Sequence, residues 1–239
     1  MKISCLGTGS GGNSFHVRFE NGSEVILDAG VPPHRFLDQR ISMVDVLVLI
    51  THEHQDHIAH ADKMRSFYGA KLGVSKGTEK FLSKVDYIFK PNYLTDAEGL
   101  TIIPFRVIHE GVNPVGYYVS DGNEILIYIT DAGMVPEQLA DKIDVLIIEA
   151  NYTPLSVQAE NANAYVAGRV TSGFGHLSVQ QAYEYAEPYL ENLDLLILTH
   201  VSKRSFDHEE YRAMQSISDE FKVKARFAEI GKVYESLPF

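Results

Sequence analysis

Between Thr51 and His57 the chain reads Thr-His-Glu-His-Gln-Asp-His, directly after the largely apolar run 44–50. Residues two apart at the end of an extended strand point the same way, so His52 and His54 can share one ion. Asp56 and His57 follow as the chain turns, and offer an oxygen and a nitrogen to a second, adjacent position. Imidazole suits zinc and similar borderline cations, and a carboxylate can bridge or hold a water. The set therefore favours two divalent ions, Zn first and Mn next, over Ca. Packing gives no reason for three histidines and an aspartate in so short a stretch.

Side chains of this kind need rigid elements behind them, and the pattern supplies an alternating series. A strand over Lys2–Leu6 leads through a Gly/Ser loop to a hairpin pairing Phe15–Phe19 with Glu24–Leu27. Asn21-Gly22 between them is a type I′ turn signal, and Asp28-Ala29-Gly30 ends the hairpin. A short helix over His34–Gln39, a strand over 44–50 and a helix from His57 or Ile58 to Tyr68 follow. The arrangement then repeats. A strand Thr101–Ile108 ends in His109, and a hairpin pairing Gly116–Ser120 with Glu124–Ile129 ends in Thr130-Asp131-Ala132-Gly133. A helix 136–142, a strand 144–149, a helix Val179–Leu190, a strand Asp194–Thr199 and a helix 208–221 complete a pseudo-duplicated α/β chain. His109, Asp131 and His200 each stand at a strand end, where sites are built on rigid sheets.

A length of 239 residues with 45% hydrophobic content fits a single domain, 1–239, with a substantial core. Cys5, the one cysteine, falls in an apolar strand and reads as a buried thiol. No signal-peptide pattern or membrane-length apolar run is visible, so a cytoplasmic protein without a membrane partner is expected. The formal charge of −11 matters for partners. Proteins that hold long phosphate backbones carry basic stripes, and this chain shows none, so a small nucleotide substrate is expected in preference to extended nucleic acid. A homodimer is left open.

The residues at 52, 54, 56, 57, 109, 131 and 200 resemble the His-x-His-x-Asp-His, His, Asp, His pattern of the metallo-β-lactamase superfamily. The resemblance implies an αββα sandwich of two mixed sheets with outer helices. It also implies one ion held by His52, His54, His109 and Asp131, and another held by Asp56, His57, Asp131 and His200. Ile148-Glu149-Ala150-Asn151-Tyr152, Gly175-His176-Leu177-Ser178 and Leu198-Thr199-His200-Val201-Ser202 are similar to elements of its phosphodiesterase branch. With Ser10-Gly11-Gly12-Asn13 and Pro114-Val115-Gly116-Tyr117, they look most like the YycJ/WalJ-like nucleases and phage anti-Pycsar relatives that open cyclic mononucleotides. The stretch from Tyr68 to Thr101 is too compact for the protruding arm of ribonuclease Z.

The chemistry this implies is phosphodiester hydrolysis. Asp56 orients the attacking water or takes its proton, His176 is the general acid, and Glu149 holds the other ring nitrogen of His176. Small nucleotides, 3′,5′-cyclic mononucleotides foremost, are the first substrate reading, with a possible role in evading cyclic-nucleotide immunity. A 5′-3′ DNA exonuclease is the alternative, and a lactonase or thioesterase a further one. Lys203 and Arg204 could meet a phosphate, and Tyr152, Phe174 and Phe206 could stack on a base. His16, His34, His60 and His208 match no ligand position.

Overall fold

The computed structural model describes residues 1–134, 138–159, 175–214 and 224–236. Two seven-stranded sheets organise them. The first has the order β14-β1-β2-β3-β4-β5-β6, and the second β13-β12-β11-β10-β9-β8-β7. The first comprises β1 (Lys2–Gly7), β2 (Ser14–Arg18), β3 (Glu24–Leu27), β4 (Leu47–Ile50), β5 (Lys71–Ser75), β6 (Tyr87–Phe89) and β14 (Val233–Glu235). The second comprises β7 (Thr95–Ala97), β8 (Leu100–Arg106), β9 (Val115–Ser120), β10 (Ile125–Ile129), β11 (Val145–Glu149), β12 (Leu195–Thr199) and β13 (Ala225–Phe227). Each sheet is antiparallel on one side and parallel on the other, the change falling at β3 and at β10. This is the expected pseudo-duplication in three dimensions.

Burial on both faces explains why the central strands read as continuous apolar runs. Leu47 and Leu49 of β4, with Val145 and Ile147 of β11, join the core between the sheets. Their neighbours Val48 and Ile50 face out to Phe36, Ala61 and Met64. These belong to α1 (His34–Asp38) and α3 (Ala61–Tyr68). Leu146 and Ile148 face Val179, Ala182 and Ala186 of α5 (Val179–Ala186), on the opposite outer side. A capping box starts α5: Ser178 accepts from the Gln181 amide while the Gln181 side chain reaches back. Helix, sheet, sheet and helix layers make the metallo-β-lactamase sandwich. The other α-helices among the described residues are α2 (Gln55–Ile58), α4 (Pro154–Ala159) and α6 (His208–Met214).

Several expected elements differ. The strand expected over 44–50 begins only at Leu47, because Asp45 sits at φ 56° in a turn. The helix expected from 57 to 68 is split into α2 and α3. His57 O accepts from Ala29 N (2.7 Å) and His60 N donates to Ala29 O (2.9 Å), so the end of the first hairpin takes backbone groups a continuous helix would use. Residues 138–142 are irregular, not part of a helix over 136–142, whose residues 136–137 lie outside the described set; so does the end of the helix expected over 208–221. The strand expected to reach Ile108 stops at Arg106, which leaves His109 in a loop. The Asn21-Gly22 turn is not type I′: only Gly22 has positive φ (89°), the mark of a three-residue loop. The segment from Tyr68 to Thr101 forms β5, β6 and β7, strands of both sheets, and projects no arm.

Candidate metal centre

At one edge of the sandwich the loops leaving both sheets converge. His52 Nε2 lies 2.8 Å from His54 Nδ1, and the rings of both stand against His109 with centroids 5.2 and 5.3 Å away. The 51–57 segment brings the first two from β4. The loop after β8 brings the third, and Glu53 ties the two loops together by accepting from Val112 N at 2.8 Å.

His57 is clamped between two aspartates that hold equivalent places in the two halves. Its Nδ1 faces Asp28 Oδ2 at 2.8 Å, and its Nε2 faces Asp131 Oδ2 at 3.0 Å. Asp28 follows β3 and Asp131 follows β10. Both adopt positive φ (61° and 48°), as does His200 (56°). Three such non-glycine residues at one edge mark a site where surrounding contacts hold strained backbone. Those contacts are visible at His200, whose N–H donates to Thr8 Oγ1 (2.9 Å) and whose carbonyl accepts from Asn151 Nδ2 (2.9 Å).

Glu149, wholly buried at the end of β11, organises the other side. One oxygen, Oε1, accepts from Nδ1 of both His176 and His200 at 2.7 Å, and the other accepts from the amides of Ala132 (2.9 Å) and Leu177 (3.3 Å). Burial alone would favour a neutral Glu149, yet the two imidazoles prevail and hold it below the usual carboxylate range. Burial likewise opposes the charged His176 ring, but Glu149 outweighs it and raises the imidazole. For His200 the balance of burial against Asp131 and Glu149 gives a ring lifted to about 9.

The donor chemistry suits a divalent ion. Burial keeps His52 and His109 below the ordinary histidine range, hence neutral with a lone pair to give. Thr51 Oγ1 donates to Asp28 Oδ1 (3.0 Å) and so accepts from His52 Nδ1 (3.0 Å), leaving His52 Nε2 as the acceptor nitrogen. Asp131 is held well below the carboxylate range, since His200 and His57 overcome its burial. Among the described residues three groups have ligand atoms within 4.8 Å of one another: His52, His54 and His109; His52, His57 and Asp131; and Asp131, Glu149, His176 and His200. Tetrahedral zinc with bonds of about 2.0–2.2 Å to nitrogen and oxygen fits such spacing. The clusters have the composition of a two-metal site, with Asp131 common to two of them.

The structure thus brings His52, His54, His57, His109, Asp131, His176, His200 and Glu149 together. Asp56 stands at the rim, outside all three groups, with Oδ2 3.6 Å from His57 Nε2. His200 differs from the expected set: its Nδ1 faces Glu149 and lies 3.6 Å from Asp131 Oδ1, so it groups with Glu149 and His176, not with Asp56 and His57. Tyr152 and Phe206 are buried, Phe206 among Tyr211 and Phe227, and neither presents a stacking face. Phe174 lies outside the described residues, and Lys203 and Arg204 are exposed.

Sequence reasoning gave no role to Asp28, Asn13, Thr8 or Thr51. Asn13 Nδ2 touches both His57 Nε2 (3.1 Å) and Asp56 Oδ2 (3.4 Å). A signal for Asp28 was present: Asp28-Ala29-Gly30 repeats Asp131-Ala132-Gly133, so a part for one aspartate implied a part for the other. Tyr128 OH also donates to Asp28 Oδ2 at 2.9 Å, and burial first, with Asp28 second, raises that phenol far above its ordinary range.

Comparison with known proteins finds relatives in sequence and in fold. Exodeoxyribonuclease WalJ of Streptococcus pneumoniae is 28% identical over 225 residues, spanning 86% of this chain and 83% of that protein. Exodeoxyribonuclease YycJ of Bacillus anthracis is 23% identical over 219 residues, spanning 84% and 83%. The crystal structure of the metallo-beta-lactamase fold protein YhfI from Bacillus subtilis superposes with a TM-score of 0.70 at 20% identity, covering 98% of both chains. No helix among the described residues is long and apolar enough to cross a membrane. The beta-lactamase superfamily domain model matches residues 25–201, which takes in every residue of the converging edge from Asp28 to His200, and the chain belongs to that superfamily.

Proposed function

We propose that this protein is a metal-dependent phosphodiesterase that removes nucleotides from a DNA end. The observation that carries the hydrolytic chemistry is the Glu149–His176 contact at 2.7 Å beside Asp131. The DNA-end substrate is supported by the two exodeoxyribonucleases, each matched over 83% of its length. The residues that would hold two divalent ions are those the resemblance implies, His52, His54, His109 and Asp131 for one, and Asp56, His57, Asp131 and His200 for the other; His200 would keep its Nδ1–H on Glu149 and offer Nε2, and Asp56 would turn in from the rim beside His57. When bound, such ions supply Lewis-acid charge to the phosphoryl oxygens and lower the pKa of a water.

The chain's own groups do the rest. The Asp56 carboxylate, partly exposed beside His57, accepts a proton from the attacking water. His176 donates Nδ1–H to Glu149, which leaves Nε2–H free to protonate the departing alkoxide. Glu149 keeps the ring charged until that transfer and is itself fixed by two backbone amides, so it orients the acid and does not move. An enzyme that grips only a DNA end contacts few phosphates, which an overall charge of −11 tolerates, and the exposed Lys203 and Arg204 follow His200 closely in the chain. That same charge favours the second reading, a 3′,5′-cyclic mononucleotide, which needs no basic track at all.

The test offers zinc- or manganese-loaded protein end-labelled linear duplex DNA and cyclic mononucleotides side by side, with His52→Ala as control. Release of mononucleotides from DNA, abolished by a chelator and restored by the metal, is the expected result. Opening of cyclic nucleotides with intact DNA would replace the exonuclease reading by the second one. His176→Ala should lower kcat on natural diesters by about 10²–10⁴. It should spare an aryl phosphodiester, whose leaving group needs no proton. Equal losses on both substrates would remove His176 from the acid role.

A further inference from the structure

The two halves of the site come from opposite sheets, so its dimensions depend on how the sheets are held at this edge. Two tyrosine hydroxyls cross the gap. Tyr117 of β9 donates to the carbonyl of Ile50, the last residue of β4, at 2.7 Å. Tyr128 of β10 donates to Asp28 Oδ2 at 2.9 Å. Both side chains are fully buried. The bonds differ at the receiving end, because Asp28 Oδ2 also accepts from His57 Nδ1.

The other donors to the Asp28 carboxylate among the described residues are Thr51 N (2.8 Å), Thr51 Oγ1 (3.0 Å) and His57 Nδ1 (2.8 Å), all from the 51–57 segment. The backbone of that segment has its own tie to the second sheet, Val115 N donating to Thr51 O at 3.1 Å, but the Asp28 carboxylate and the His57 ring it holds do not share in that bond. Tyr128 is the donor from outside, and it stands three positions before Asp131, the group on the far side of the His57 ring. It ties Asp28 to the chain that carries Asp131. We infer that the Tyr128 hydroxyl is a positioning group for the second ion position, fixing His57 against Asp131 through Asp28 from the opposite sheet. The inference deepens the two-ion reading and rests on it, and is independent of the substrate.

Tyr128→Phe keeps the ring in the core and leaves Asp28 with its Thr51 and His57 donors, so the variant folds. Tyr117→Phe removes an inter-sheet bond of the same kind that ends on backbone, and is the control for a purely structural role. Metal-free protein is titrated with zinc against a chromophoric chelator, and melting temperatures are recorded without metal. Both variants should melt below wild type. Only Tyr128→Phe should weaken the second zinc, by about tenfold, the low end of what loss of an outer partner to a ligand costs. The first zinc should bind as in wild type. Unchanged binding of both ions in Tyr128→Phe, or equal weakening in the two variants, overturns the inference. A wild-type protein that takes up a single zinc sinks the two-ion reading and this inference together, and that is seen before any variant is made.

Discussion

Asp131→Asn should abolish hydrolysis to within about a thousandth of the wild-type rate while leaving the fold intact. Asparagine tolerates the left-handed backbone that Asp131 adopts at φ 48°, so the substitution removes charge without straining the turn. What it removes is the carboxylate shared by two clusters, 3.0 Å from His57 Nε2, 3.6 Å from His200 Nδ1 and 3.9 Å from His109 Nε2. An amide oxygen carries no net charge and cannot serve two cations in the same way. The several kcal/mol of transition-state stabilisation that bound divalent ions provide, about 1.4 kcal/mol per tenfold, correspond to the thousandfold figure. Zinc content by native mass spectrometry and kcat on the same preparation decide the matter. Retention of two ions at the wild-type rate would show that Asp131 is not shared. His34→Ala, which touches none of the clusters, serves as the control and should leave both readings unchanged.

Gly30→Ala should be the most destabilising single-methyl change in the chain's first half. A Cβ at position 30 would lie 1.7 Å from the carbonyl oxygen of Asp56 and 2.7 Å from Asn13 N. Both are backbone atoms with no side-chain rotamer to give way. The contact is that close because Gly30 N donates to Asn13 O (3.0 Å) and Asn13 N to Asp56 O (2.7 Å), so three segments meet at this residue. Overpacking of a rigid core costs about 1–3 kcal/mol, and a clash with fixed backbone belongs at or beyond the upper end. For a domain of this size that is a fall of roughly 6–12 °C in melting temperature. Displacement of the Asp56–His57 backbone should also weaken zinc binding. Gly11→Ala is the comparison, since a Cβ there meets nothing within 4 Å. Melting curves that coincide for the two alanine variants would show that the 28–30 turn yields more easily than its contacts imply.

Much of the sandwich was legible because its central strands are buried on both faces and read as unbroken apolar runs. The His-x-His-x-Asp-His segment was legible because it is contiguous. His109, Asp131, Glu149, His176 and His200 were found through strand ends and resemblance, although the loop after Arg106 was longer than periodicity suggested. The break between α2 and α3 was invisible, since it depends on Ala29 hydrogen-bonding to His57 and His60 from a distant hairpin. Asp28 was read as the end of a hairpin because its partners Thr51, His57 and Tyr128 lie 23, 29 and 100 positions away. Sequence by itself determined which side chains can offer lone pairs and which strands are buried, since both are local properties of residue type and spacing. Only the tertiary structure decided which carboxylate faces which imidazole, because that follows from how two sheets built from distant parts of the chain meet along one edge.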